Sequence, residues 1–293
     1  MKQIHFILNP IAGSGKNTLE LEYLYSYFDK DNYKITIKKS DHKKHAIALT
    51  KSSIEEKADT IIACGGDGTI NEVASCLVNT SIPLGIIPIG SGNGLASNLQ
   101  IPKNIENALQ KIKLNDQIKI DVGVFNNYYF FSNCGVGFDA SVVKNYEASE
   151  HRKLSSYFTA TLKSLREITY NDRLEVVINE KTFNITPFMI FISNSNEMGY
   201  NFSLTPKASL TDGLLDILVI SKMSKLKLFL FGILFLFKKH HLLKEVQSFQ
   251  TDALKIKSEK IISFETQIDG DSSSIKNNDI SISLLHRSLN VIV

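Results

Sequence analysis

The chain of 293 residues has no strong charge of either sign and no long apolar run, and each absence narrows what it can do. Its 33 basic residues stand against 30 acidic ones, a net +3 that is too weak a bias to argue for a nucleic-acid partner. Cysteine is scarce. Cys64, Cys76 and Cys134 are odd in number and lack metal-ligand spacing, so the plain reading is reduced thiols in a cytosolic protein. No segment reaches the roughly 18 uninterrupted apolar residues of a membrane span. The first apolar run, Ile4–Leu8, is short and interrupted by His5, unlike the core of a signal peptide. A cytoplasmic location is therefore expected. What is present is 43% hydrophobic residues with mixed charge, which describes a core-forming protein of two ordinary domains or one large one.

The first half alternates strand and helix patterns. Ile4–Leu8 reads as a strand, followed by the loop Asn9-Pro10-Ile11-Ala12-Gly13-Ser14-Gly15-Lys16. That loop imitates a Walker phosphate loop but has Pro10 where glycine is needed and Asn17 where serine or threonine is needed. Leu21, Leu24, Tyr25 and Phe28 mark a helix stripe, Tyr33–Lys38 alternates as a strand, and residues from about His42 to Ala58 look helical. The apolar run Thr60–Cys64 then leads into Gly65-Gly66-Asp67-Gly68-Thr69 and a helix with Ile70, Val73, Ala74 and Leu77 on one face. Paired glycines at such a junction let backbone approach a ligand, and the N–H groups of a helix start favour anions. Asp67 adds a carboxylate there, which suits a metal ion or a hydroxyl to be deprotonated. A tight turn with Asp67 as the helix cap is the plainer alternative.

A third junction follows the strand Leu84–Ile87, at Pro88-Ile89-Gly90-Ser91-Gly92-Asn93-Gly94 before a helix start at Leu95–Leu99. Ile105, Ala108, Leu109 and Ile112 mark another helix. This alternation predicts a parallel sheet with helices on both faces. The loops after Leu8, Cys64 and Ile87 would then lie together at the carboxyl ends of their strands, where open α/β sheets bind ligands.

From about residue 118 the pattern changes to mostly consecutive strands: Ile118–Val124, Tyr128–Cys134, Leu174–Ile178, Phe188–Ser193, Leu215–Ile220, Ala253–Lys257 and Ile261–Gln267. This predicts an antiparallel β-sandwich with a helical insertion at Leu154–Ile168. The expected division is a nucleotide-binding α/β domain over residues 1–118 and a sandwich domain over 119–287. Residues 288–293 are apolar enough to return to the first domain as a strand.

Together these stretches resemble the diacylglycerol kinase catalytic domain family, which includes bacterial lipid kinases and the sphingosine and ceramide kinases. The resemblance rests on Asn9-Pro10…Gly13, Gly65–Thr69 and Pro88–Asn93. It continues through Asp121, Asn133…Gly135-Val136-Gly137-Phe138-Asp139-Ala140, Asp212-Gly213-Leu214-Leu215-Asp216 and Asp269-Gly270-Asp271. The Gly-Gly-Asp-Gly-Thr element alone is shared with NAD kinases and phosphofructokinase-like folds. The resemblance implies such an α/β domain followed by a β-sandwich, and an ATP- and magnesium-dependent lipid kinase.

Residue by residue, it implies a phosphate cradle of Asn9, Pro10, Ile11, Ala12, Gly13, Gly65, Gly66, Asp67, Gly68, Thr69, Gly90, Ser91, Gly92 and Asn93. Asn71 and Glu72 on the following helix are counted with these nucleotide-binding residues, and Ser40 matches a threonine that approaches the nucleotide. Asp67 and Asp271 would serve catalysis. The family usually carries glutamate where Asp271 stands, and assigns it as the general base. Asp-Gly also reads as a hairpin turn. Magnesium would be held by the Asp212 side chain and the main-chain carbonyls of Ser209 and Leu214, though the same stretch reads as a turn before a strand. Asp121 and Asp139 would face the cleft or serve as structural carboxylates.

Leu226–Phe237 is apolar on nearly every face and flanked by Lys222, Lys225, Lys238, Lys239, His240 and His241. At about 12 residues, roughly 18 Å as a helix, it cannot cross a bilayer. It is therefore buried, a dimer contact, or a shallow membrane insertion with lysines at the headgroups. The expectation is an enzyme of lipid metabolism and phospholipid biosynthesis, peripheral to the inner face of the membrane, acting on a membrane lipid and able to form a homodimer. The two other readings are an NAD kinase-like kinase of a soluble nucleotide and a catalytically inactive nucleotide- or lipid-binding regulator.

Overall fold

A computed structural model describes residues 1–13, 19–90, 92–149, 154–167, 173–197 and 203–293. Its contacts divide the chain into Met1–Val122 with His286–Val293, and Gly123–Leu285.

The first unit is built on parallel strands. They are β1 (Lys2–Leu8), β2 (Tyr33–Lys39), β3 (Thr60–Gly65) and β4 (Leu84–Pro88), in spatial order β4-β3-β1-β2. The helices are α1 (Leu21–Tyr25), α2 (His45–Glu55), α3 (Asp67–Leu77), α4 (Gly94–Asn98) and α5 (Ile105–Leu114). Alternation along the strands divides the core. Phe6, Leu8, Ile62 and Cys64 pack with Leu24 of α1 and Leu109 and Ile112 of α5. Ile7, Ile61, Ala63 and Ile86, out of phase with them, are buried on the side of α2 and α3. The expected α/β arrangement, helices on both faces of a parallel sheet, is what forms. Helix α2 is shorter than the His42–Ala58 pattern, and α1 ends before Phe28, which is nonetheless fully buried.

Strand β5 (Gln117–Phe125) leads into the second unit. That unit has the strands β6 (Tyr128–Phe130), β7 (Asn133–Gly137), β8 (Leu174–Ile178), β9 (Lys181–Ile185), β10 (Pro187–Ser193), β11 (Leu215–Ser221), β12 (Val246–Thr251), β13 (Ala253–Ile268) and β14 (Asp271–Ile292). Pairing is antiparallel in the order β12-β11-β10-β7-β13-β14, with the β8–β9 hairpin on β13 and β5–β6 as a further hairpin. Phe125, Phe130, Val176, Ile190, Ile217 and Phe264 form part of its main core. Helices α6 (Phe138–Glu147), α7 (Leu154–Glu167) and α8 (Lys225–Leu236) complete it. Past Arg287, where φ is +47°, β14 belongs to the first unit and pairs in parallel with β4 at Val291 and Leu84.

Several elements differ from the pattern reading. Tyr128–Cys134 is not one strand but two, because the Asp269 carboxylate takes the N–H groups of Phe131, Ser132 and Asn133 out of the ladder. Ala253–Lys257 and Ile261–Gln267 are one strand with a register shift between Lys257 and Ile262. Helix α6 and strands β9 and β12 were not signalled. The strand at the chain end is 22 residues long rather than six, since a strand exposed along much of its length needs no apolar alternation. Ile168, the expected end of the helical insertion, lies outside the described residues, as do Ser14, Gly15, Lys16 and Asn17.

Candidate active site

Parallel pairing of β1, β3 and β4 puts their three following loops on one edge of the sheet, and hydrogen bonds tie them to one another. The Asn9 N–H donates to the Cys64 carbonyl at 2.9 Å, and the Ile89 N–H donates to the Gly65 carbonyl at 2.8 Å. The Asn9 amide donates to Thr69 Oγ1 at 3.2 Å, while its Oδ1 accepts the N–H of Ile11 at 3.1 Å and shapes the Pro10–Ala12 turn. Two glycines are required by the closeness of this packing. Gly13 has φ +59°, and a Cβ there would stand 2.1 Å from the Ile89 carbonyl oxygen. A Cβ on Gly90 would stand 2.4 Å from the Gly66 Cα. Above Gly68, by contrast, nothing among the described residues lies within 4 Å of a Cβ position.

Asp67 joins the second loop to the third. Its Oδ2 accepts the Asn93 N–H and its Oδ1 the Gly94 N–H, both at 2.7 Å. Asn93, buried and at φ +56°, closes the third loop by exchanging side-chain hydrogen bonds with both backbone groups of Gly90. Gly92 stands against Asp67, its Cβ position 2.9 Å from Oδ2. Burial pushes the Asp67 carboxyl above the usual carboxylate range, and the N–H groups of Asn93 and Gly94 act in the opposite direction. The side chain therefore caps α4 across the sheet edge rather than its own helix. Ser91 lies outside the described residues.

Around this core, Ser40 is buried with its N–H on the Leu8 carbonyl at 2.8 Å and its hydroxyl 3.4 Å from the same oxygen. Glu72 accepts the Lys44 N–H at 2.8 Å, which fastens the β2–α2 loop to α3. Asn71 accepts from the Ser75 hydroxyl at 3.3 Å. Pattern reading passed over Asp41, His42 and His45, whose donor atoms converge just after Ser40; the Asp-His-x-x-His spacing was the available signal. Asp121, fully buried, accepts the Arg287 N–H at 2.7 Å and lies 2.9 Å from His286 Nδ1, so its place is structural: it anchors the returning strand.

In the second unit the Asp-Gly hairpin is formed. Ile268 pairs with Asp271, and Asp269 and Gly270 turn at φ +48° and +84°. Asp269 accepts three backbone N–H groups, from Phe131, Ser132 and Asn133, at 2.8–3.1 Å. Asp271 is exposed at the start of β14. The two carboxylates flanking Gly270 are therefore unlike: one shapes the loop and the other faces solvent.

Behind the hairpin, the Gln267 amide donates to Asn133 Oδ1 at 2.9 Å and to Asp139 Oδ2 at 3.2 Å, and its oxygen accepts the Gly270 N–H. Gly135 leaves room for Asp139, whose Oδ2 would be 1.7 Å from a Cβ there. Burial pushes the Asp139 carboxyl up to about 7, against the Gln267 bond, and its Oδ1 has no hydrogen-bond partner among the described residues.

Ser209, Asp212 and Leu214 share one loop before β11. Asp212 Oδ1 accepts the Leu214 N–H at 3.1 Å, Ser209 Oγ accepts the Thr211 N–H at 3.3 Å, and Gly213 turns at φ +79°. Burial raises the neighbouring Asp216 carboxyl, and the charge of Asp212 raises it further. The Asp212 carboxylate, in a loop rich in oxygen atoms and just before Asp216 of β11, fits a hard divalent cation.

A parallel sheet whose strand-end loops are tied together through glycines and backbone N–H groups, joined to an antiparallel β unit, defines an α/β plus β-sandwich protein. Two family descriptions divide the chain in the same sense: "Diacylglycerol kinase catalytic domain" over residues 3–125 and "YegS C-terminal NAD kinase beta sandwich-like domain" over residues 132–293. The chain belongs to this diacylglycerol kinase and YegS-like lipid kinase family.

Among its relatives, the uncharacterized protein sll0036 of Synechocystis is 33% identical over 76% of this chain, which spans 54% of that protein's length. A probable YegS-like lipid kinase of Pectobacterium atrosepticum is 28% identical over 73% of this chain and 75% of its own. A diacylglycerol kinase of Staphylococcus aureus is 27% identical over 75% and 71%. Two crystal structures from Bacillus anthracis str. Sterne, named as diacylglycerol kinases and the first of them provisionally so, give TM-scores of 0.79 and 0.71. Both match over 99% of this chain and at least 95% of theirs. At 23% and 21% identity these two speak for the fold alone.

Proposed function

We propose that this protein transfers the γ-phosphate of ATP to a hydroxyl group of a membrane lipid. The observation that carries the reading is the knitting of three loops at one sheet edge, from Asn9 to Thr69, Gly13 to Ile89 and Asp67 to Asn93, in a chain of this family. Backbone N–H groups of these loops and of the α3 start would bind the phosphates, as helix starts and glycine-rich turns do. Asn9, Thr69 and Asn93 hold the loops in the shape that presents them. Small residues admit the bulky anion, and Asp67 keeps the third loop in place beside it.

The lipid hydroxyl oxygen attacks γ-phosphorus in line, the bond to the β–γ bridging oxygen breaks, and ADP leaves. Asp271 is assigned the hydroxyl proton, directly or through a water, because it is the exposed carboxylate of the Asp-Gly-Asp turn. Magnesium, when bound by Asp212 with the carbonyls of Ser209 and Leu214, supplies positive charge that neutralises phosphate oxygens. We assign the protein to the cytoplasmic side, where ATP is available.

The test offers γ-labelled ATP and magnesium with a total lipid extract and, separately, a soluble metabolite pool. Label in an organic-phase product, lost with Asp271→Asn, supports the reading. Label in a soluble nucleotide alone would replace it with an NAD kinase-like activity. ATP binding without transfer to either pool would point to a regulator.

A further inference from the structure

Helix α8 is apolar on two opposite faces, and only one of them is covered. Leu228, Phe231 and Phe235 point inward. They belong to a cluster with Phe188, Met189 and Ile220, and the Phe231 ring meets Phe188 edge-on at 6.4 Å. Leu226, Phe229, Leu230, Ile233, Leu236 and Phe237 recur at intervals of three, one, three, three and one, which places them on a single opposite stripe. All six are exposed, with Leu226, Phe229 and Phe237 at 78%, 69% and 69%.

The helix is held firmly in this orientation. Ser224 caps it by accepting the Lys227 N–H, Lys227 pairs with Glu245, and buried His240 bonds the Leu204 carbonyl at 2.9 Å just past its end. The outward display of large apolar side chains is therefore built into the fold.

Charge identifies what covers this stripe. From Lys222 to Lys244 the chain carries six lysines and no acidic residue. Pairing the stripe with its own copy would bring two such lysine-rich segments together, which like-charge repulsion opposes. An anionic lipid surface complements both features: apolar side chains enter the acyl boundary while lysine ammonium groups rest among the headgroups. The helix has 12 residues, too short to cross, and no helix among the described residues is long and apolar enough to span a membrane.

We propose that α8 docks this protein on an anionic bilayer, lying in the interface with its outer stripe inserted. The proposal extends the lipid-kinase reading by naming the surface where the acceptor is met, yet docking itself rests on α8 alone.

The experiment is flotation with phosphatidylcholine vesicles, with and without phosphatidylglycerol, using wild type and the double variant Leu226→Glu with Phe229→Glu. Both side chains are already exposed, so circular dichroism and melting temperature should not change. Wild type should float with the anionic vesicles and weakly with the neutral ones, and the variant should lose affinity at least tenfold. A second variant, Lys238→Glu with Lys239→Glu, should lose the preference for phosphatidylglycerol. Equal flotation of wild type and the apolar variant would overturn the proposal. So would a wild-type dimer in sedimentation that the variant breaks, which would make the stripe a contact between copies. Phosphorylation of a short-chain, water-soluble diacylglycerol is measured in parallel. Docking without any such transfer would sink the lipid-kinase reading while leaving this one standing.

Discussion

The Asp67 carboxylate and the Asn93 backbone are joined by a 2.7 Å hydrogen bond across 26 positions of sequence, and the other carboxylate oxygen holds Gly94 at the same distance. Asp67→Asn keeps one acceptor but turns the second oxygen into a donor facing an N–H. A hydrogen bond to a charged group contributes about 1.5–3 kcal/mol. If that bond shapes the phosphate cradle, affinity for a non-hydrolysable ATP analogue falls by about tenfold to a hundredfold in calorimetry. A purely proton-transferring Asp67 would lose turnover and keep affinity, and that outcome would reject the clamp.

Gly13 and Gly68 separate folding from binding. Gly13→Ala forces a Cβ into the Ile89 carbonyl and keeps a positive φ, so the loop between β1 and α1 must move. The melting temperature should drop by several degrees and ATP binding should weaken together. Gly68→Ala meets no atom of the described residues within 4 Å. Its melting temperature should be unchanged while ATP binding falls, because the methyl group enters the space above the first turn of α3. Equal ATP affinity in Gly68→Ala and wild type would remove the phosphate from that position.

Much of the first unit was legible because its signals are local. Ile61, Ile62 and Ala63 followed by paired glycines, and the stripe from Ile70 to Leu77, define strand, turn and helix without reference to the rest of the chain. The parallel edge that assembles the loops follows from alternation of strand and helix. The long-range bonds were not legible. Nothing near Asp67 says that its partners are the N–H groups of Asn93 and Gly94, and nothing near Asp269 says that it splits a strand at Phe131. The two faces of α8 were hidden for another reason: with apolar residues all around, periodicity carries no direction, and only packing shows that Phe231 is inside and Phe229 outside.

Asp139 makes stability depend on pH in a definite direction. Its carboxyl is pushed up to about 7 by burial, above its value in an unfolded chain, so folding favours the protonated form. The stability linked to that proton is fully present below the unfolded value and is lost as pH rises through about 7. Replacing Asp139 by Asn removes the titration. Urea unfolding of Asp139→Asn and wild type between about pH 5 and pH 8 should show the difference moving in favour of the variant as pH rises. A constant difference across that range would place the Asp139 carboxyl in the ordinary carboxylate range.

Asp212 offers a test of the magnesium loop. Without the carboxylate, two main-chain carbonyls hold the cation less firmly, so Asp212→Ala should need on the order of tenfold more magnesium for half-maximal activity. At saturating magnesium much of the rate should return. A magnesium curve that superposes on that of wild type would exclude the loop as a ligand site.

The Asp269-Gly270-Asp271 turn gives the sharpest separation of structure from chemistry. Asp269 accepts three N–H groups that have no ladder partners, so Asp269→Ala leaves several donors stranded beneath the β6–β7 bend. A loss of about 2–4 kcal/mol is expected from that many charge-assisted bonds, readable as a fall in melting temperature on the order of 5 °C or more. Asp271 is exposed, and Asp271→Asn should leave the melting temperature within about 1 °C of wild type. Turnover should nevertheless fall by at least a hundredfold, the scale of a lost general base. Asp271→Glu restores a carboxylate one methylene longer and should recover activity that the amide does not. If the amide and glutamate variants are equally active, the proton leaves by another route and Asp271 is a turn residue only.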